Sequence, residues 1–149
     1  MRATDQTLRY LATRVGTGDH AAFRCLYATL APATLATVRD ELPDPIHSMH
    51  VVRATFCEVW WMCAFDIRCG THRHDVARWV ASIAERRCDE RRQALDLAAV
   101  GDGVPAGQTA FWTGLLADHD VWTQFQLATM LDGHDAIDLP LERTGLLSV

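Results

Sequence analysis

Apolar residues recur every three or four positions in segment after segment of this 149-residue chain, and no segment alternates as a half-buried strand would. The clearest run is Ile46, Met49, Val52, Phe56, Val59, Trp60 and Cys63, which keeps a 3.6-residue period. Leu8, Leu11, Ala12 and Val15 do the same near the N-terminus, as do Val76, Trp79, Val80 and Ile83 further on. A chain patterned this way buries helix stripes against one another, so the expected fold class is all-α. Hydrophobic residues at 49% and charged residues at 22% supply enough apolar surface for such a bundle.

Punctuation residues divide the pattern. The first helix is predicted from Thr4 to Val15, ended by Gly16 and Gly18, with Asp19 capping the second. The second carries Phe23, Leu26, Tyr27 and Leu30, then Leu35, Val38 and Leu42; Pro32 predicts a kink or restart between them. Asp44 and Pro45 open a third helix that runs to about Cys63. Residues 64–71 are expected to form a loop, and the fourth helix follows from Val76. Residues 101–105 form a Gly- and Pro-containing linker. Beyond it two short helices are expected, one from Pro105 to Ala117 and one capped by Asp120 and stopped at Gly133. The stripes of the second, third and fourth helices should form the core with Phe23, Leu26, Tyr27, Leu30, Val52, Phe56, Trp60, Trp79, Val80 and Ile83.

Charge is unevenly distributed. Residues 1–95 hold thirteen arginines against eleven acids, a net +2, whereas residues 96–149 hold one arginine against eight acids, a net −7. There is no lysine. Two segments with different surface roles are implied, placed at 1–97 and 98–149. No apolar run approaches the roughly 18 residues that span a bilayer. The first fifteen residues lack the apolar stretch of a secretory leader, so no membrane association and a cytoplasmic location are expected. The five cysteines, Cys25, Cys57, Cys63, Cys69 and Cys88, are odd in number and lack C-x-x-C spacing. They read as core thiols, with Cys69 exposed in the loop. His47 with His50, and Cys69 with His72 and His74, lack the regular spacing of a tetrahedral set, so no metal is assigned.

The order of the pieces is similar to region 2 of the extracytoplasmic-function sigma factors of RNA polymerase. Gly18-Asp19-His20-Ala21-Ala22-Phe23 with Leu26-Tyr27 resembles that family's GD-x-x-AF-x-x-LY opening. Asp44-Pro45, Val51-Val52, Phe56 and Glu58-Val59-Trp60 resemble its DP…VVQEVFLEVW helix. Phe65-Asp66 with Gly70 resembles its F-D-x-x-x-G loop, and residues 77–84 its AWL-x-x-IA helix, with Glu90-Arg91 where the family has Asp-Arg. The likeness spans about residues 5–95 and lies in the order and spacing of short pieces.

The resemblance implies a sigma region 2-like helical bundle with a short C-terminal helical extension. It further implies binding to the polymerase clamp through the third helix, and reading of single-stranded promoter DNA by the loop and fourth helix. Arg68, Arg86, Arg87, Arg91 and Arg92 are the candidate phosphate contacts, since single-strand binding needs a cationic track beside aromatic platforms. Because those arginines are interleaved with Glu85, Asp89 and Glu90, an ordinary solvated helix face is the alternative. Trp60 and Trp79 lie on apolar stripes and read as core rather than as base platforms.

Two departures bear on function. On the third helix the family's acidic face is replaced by His47, Met49, His50, Arg53 and Ala54, which removes the charge complement of a basic clamp. His47, His50, Arg53 and Trp61 are the candidate partner contacts on this helix. Residues 96–149, with Arg143 their single basic residue, are too short and too acidic for a helix-turn-helix that reads a −35 element. Phe111, Trp112, Leu115, Leu116, Trp122 and Phe125 should instead pack this segment onto the first domain or across a homodimer, with its acids near Arg86, Arg87, Arg91 and Arg92.

Two functions are thus expected. One is a sigma-like transcription regulator that acts with a partner: RNA polymerase, or a sigma- or anti-sigma-type regulatory protein. The other is a repurposed helical module for protein–protein contact without DNA. No catalytic residue or cofactor is assigned: there is no nucleophile–base spacing, phosphate loop or H-E-x-x-H.

Overall fold

Three aspartates start three of the helices. Asp19 accepts a hydrogen bond from the Ala22 amide at 3.0 Å, Asp44 from Ile46 at 2.8 Å, and Asp75 from Arg78 at 3.0 Å. Each satisfies a backbone donor that the first helical turn leaves unpaired. The computed structural model describes residues 2–99 and 106–132, with side chains for 4–99 and 114–132. The helices are α1 (Arg2–Gly16), α2 (His20–Glu41), α3 (Pro45–Cys69), α4 (Val76–Ala98) and α5 (Ala106–Asp132). No strand occurs among the described residues, so the chain is an all-α bundle.

Helix α3 is the central element and packs against the other four. Phe23, Leu26, Tyr27, Val52, Phe56, Val80 and Ile83 are buried, and Leu30, Trp60 and Trp79 pack against them from the edge of the core. Tyr27 meets Phe56 edge-on at 4.9 Å, and Phe23 meets Trp60 at 5.2 Å, the geometry that aromatic quadrupoles favour. The C-terminal turn of α1 presses directly onto α3. A Cβ on Gly16 would lie 2.6 Å from the Cys63 carbonyl oxygen and overlap the Ile67 side chain. Helix α2 is long and apolar enough to cross a membrane, but half of its most apolar window is buried in this bundle.

Three expectations about element boundaries are corrected. Helix α2 runs unbroken through Pro32. The ring is exposed while Ala31, Thr34 and Leu35 are buried, so the backbone carbonyl that loses its donor is on the solvent side. Helix α3 does not stop at Cys63 but continues to Cys69, because nothing in Ala64–Cys69 breaks a helix. Its stop is Gly70, in the left-handed conformation at φ 68°, with its amide directed to the Asp66 and Ile67 carbonyls. Asp66 is consequently a buried residue of the last helical turn. It forms a two-pronged ion pair with Arg73 at 2.7 and 3.2 Å, and Arg73 lies 4.3 Å over the Trp79 ring.

The third correction is at the C-terminal end, where one helix, α5, replaces the two expected. Asp120 sits inside it rather than capping it, since Ala117-Asp118-His119 offers no break. Helix α5 packs on α2, α3 and α4. Its buried contacts are Thr123, Leu127, Ala128, Met130 and Leu131. Trp122 and Phe125, expected to dock, are exposed. The end of α5 is fastened to the start of α2: the His20 Nδ1–H donates to the Met130 carbonyl at 2.6 Å, and Arg24 donates to the Leu131 carbonyl at 2.8 Å. N–H donors, and the Arg24 cation above all, suit a helix C-terminus, whose last carbonyls carry the negative end of the dipole. The expected 101–105 linker, Phe111, Trp112, Gly133 and Arg143 lie outside the residues described at side-chain level.

Candidate functional site

The polar side of α4 faces α3 and α5, and its arginines are matched there to acids. Arg86 and Arg87 both pair with Glu58 of α3, Arg87 at 2.6 Å, and both also reach Glu90, at 3.2 and 3.4 Å. Burial pushes the Glu58 carboxyl up, but the two guanidinium hydrogen bonds outweigh that and hold it below the ordinary carboxylate range. Arg92 pairs with Asp89 and, at 3.4 Å, with Glu41 of α2. Of the five candidate phosphate contacts, Arg68 is exposed on the last turn of α3, away from this set. The expected source of neutralising acid was the C-terminal segment. In the structure Asp120 alone of its described acids pairs with one of these arginines, and the rest of the acid comes from α2, α3 and α4.

Arg91 is not a surface residue; it is 4% exposed. Its Nη2 donates to Asp120 Oδ2 at 2.9 Å, and its Nε lies 3.2 Å from His47 Nδ1. That contact makes His47 Nδ1 an acceptor and puts the ring proton on Nε2. The other oxygen of Asp120 lies 2.8 Å from Nδ1 of His50, which is itself buried. His47, Arg91, Asp120 and His50 thus form one interior polar chain tying α3, α4 and α5 together. Burial pushes the His50 imidazole below its usual pKa against the opposing pull of Asp120. Burial also raises Asp120, but His50 and Arg91 more than compensate and leave its carboxyl below the usual range.

This chain changes what the α3 face can do. Met49, His50 and Ala54, expected on a partner-facing surface, are buried, and Arg53 is half-buried. Residues of α5 lie against that face: Asp120 meets His50, and the His119 ring stands 5.1 Å from the His50 ring. The Cys57 thiol lies 3.8 Å from the Thr123 carbonyl. His47 is occupied by Arg91. Of the four candidate partner contacts, Trp61 alone is largely exposed, at 58%.

Trp61 belongs to a feature that the sequence reading did not assemble. Trp60 and Trp61 of α3, Trp122, Phe125 and Met130 of α5 and His20 of α2 line an open groove of about 230 Å³ whose wall is nearly all apolar. Trp122 is 57% exposed and Phe125 48%, with their rings roughly parallel 6.4 Å apart. His20 stacks on Trp60 at 4.9 Å. The signal in the sequence was Trp122 and Phe125, three residues apart on one helix, beside the Trp60-Trp61 pair; only the packing of α5 on α3 brings them together.

The cysteines divide by burial. Cys57 and Cys63 are pushed up to about 12 and Cys88 to about 11, so none of the three is a thiolate at neutral pH. Cys69 is exposed, though on a helix, and Cys25 is exposed rather than in the core. Among the described residues no three His, Cys, Asp or Glu side chains gather as a metal site. No family model, no curated protein and no solved structure matches this chain.

Proposed function

We propose that this protein is a sigma region 2-like helical module that works by holding a protein partner in its aromatic groove, and not by binding nucleic acid. The observation that carries the reading is the groove itself: Trp61, Trp122 and Phe125 stay in water although the same two helices bury other apolar residues against each other. Burying one such ring stabilises a complex by roughly 1.5–3 kcal/mol, and aromatic clusters of this kind dominate the energetics of interfaces. The wall carries no carboxylate or guanidinium, with Gln126 and Thr129 at its polar margin. It therefore suits the apolar face of an amphipathic helix rather than a charged clamp. The cytoplasmic transcription apparatus, and a sigma- or anti-sigma-type regulator within it, is the setting that the resemblance favours.

The arginines argue the same way from the other side. The exposed Arg86 and Arg92 already have carboxylate partners, so a phosphate backbone would have to displace Glu58, Glu90 or Asp89 to reach them, and Arg91 is buried. The test is site-specific photo-crosslinking in cells from position 122 and, separately, from position 68. A discrete protein adduct from position 122 that Trp61→Glu abolishes supports the reading. Nucleic-acid adducts from position 68, with none to protein from position 122, would replace it with promoter binding.

A further inference from the structure

A second cavity, separate from the aromatic groove, opens where α3, α4 and α5 meet. Its volume is about 190 Å³, several times the roughly 30 Å³ that one water occupies in the liquid. Its wall includes Arg87 and Arg91, His50 and His119, with Glu90 the single carboxylate among the described residues. Glu58 and Asp120, which pair with Arg87 and Arg91, lie outside the wall, so the described lining itself presents two guanidiniums and one carboxylate.

The arginines are also short of acceptors. Nη1 of Arg91 and Nε of Arg87 are buried and make no hydrogen bond among the described residues, although the other nitrogens of both side chains are engaged. Buried donors are almost always paired, and a guanidinium N–H without an acceptor costs more than a neutral one. Both side chains line the cavity, so a group seated there lies beside the two guanidiniums. A group that accepts from two forked cations is an oxyanion.

We propose that this cavity binds a small oxyanion, a phosphate or a carboxylate group, held by Arg87 and Arg91 with His119 at its edge. The site does not depend on what occupies the aromatic groove. Because Arg91 also holds Asp120 on α5, an anion bound here bears directly on the junction of the three helices.

The test is calorimetric titration of the full chain with inorganic phosphate and, separately, acetate, at constant ionic strength against chloride. One site saturating below about 10 mM for either anion is expected, with Arg87→Gln weakening it about tenfold or more. Arg86 still pairs with Glu58 when Arg87 is replaced, so no carboxylate is left without a partner; His119→Ala, at an exposed position, is the second variant and should also weaken binding. Saturation by phosphate alone assigns a phosphoryl ligand, and by acetate alone a carboxylate. No saturable heat with either anion, or affinity unchanged in both variants, overturns the proposal.

Discussion

His50 Nδ1 and Asp120 Oδ1 lie 2.8 Å apart in the interior, one on α3 and the other seventy residues later on α5. Since the second oxygen of Asp120 holds the buried Arg91, this carboxylate is the joint at which three helices are fastened. Asp120→Ala leaves a buried guanidinium without its counter-charge and should destabilise the fold by about 3–5 kcal/mol. His50→Ala removes a neutral partner and should cost less. Urea unfolding of both variants checks the order, and equal losses would contradict it.

The same pair makes stability depend on acid. The folded-state pKa of His50 is depressed below 6.5, so the neutral ring that folding favours must charge as pH falls, and stability drops from about pH 6.5 downward. Asp120 and Glu58 are depressed from 3.8 and 4.5, so their contributions are present above those values and are lost below them. Thermal melts should therefore show a shallow decline between pH 6.5 and 5 and a steeper one below pH 4.5. His50→Gln should flatten the first. An unchanged melting temperature from pH 7 to 5 in the unmodified protein would mean that His50 does not report on folding.

Gly16→Ala should be destabilising by about 1–3 kcal/mol, because the added methyl meets the Cys63 carbonyl and the Ile67 side chain where α1 presses on α3. Helix propensity alone favours alanine over glycine, so a stabilised variant would show that the two helices are not in close approach there.

Thiol labelling separates the cysteines. Cys25 and Cys69 should react promptly in the native protein, whereas Cys57, Cys63 and Cys88 should react only on unfolding, being buried with raised pKa values. Rapid labelling of more than two thiols would contradict the packing of α3 or α4.

Much of the bundle is legible in the sequence because local chemistry specifies it. Asp19 and Asp44 cap where a polar acceptor precedes an apolar stripe, and Phe23, Leu26 and Phe56 fall on stripes with one place to go. Pro32 misleads because the cost of a proline depends on which way the orphaned carbonyl faces, and that is set by packing. Asp120 misleads for a related reason. An aspartate is a good N-cap by propensity, yet here a buried arginine and histidine hold it inside a helix. Both partners are far away in sequence, so no local pattern marks the network. The groove is hidden in the same way, its two aromatic pairs being some sixty residues apart.

Whether the arginines of α4 are open to nucleic acid is tested by titrating labelled single-stranded DNA onto the full chain at low and at near-physiological salt. The account predicts no saturable binding at roughly 0.15 M salt, because the arginines of α4 are held by Glu58, Glu90, Asp89 and Asp120. Glu58→Gln with Glu90→Gln should release Arg86 and Arg87 and raise salt-sensitive binding at low salt. Saturable, salt-dependent binding by the unmodified protein, lost on replacing Arg86 and Arg87, would contradict the account.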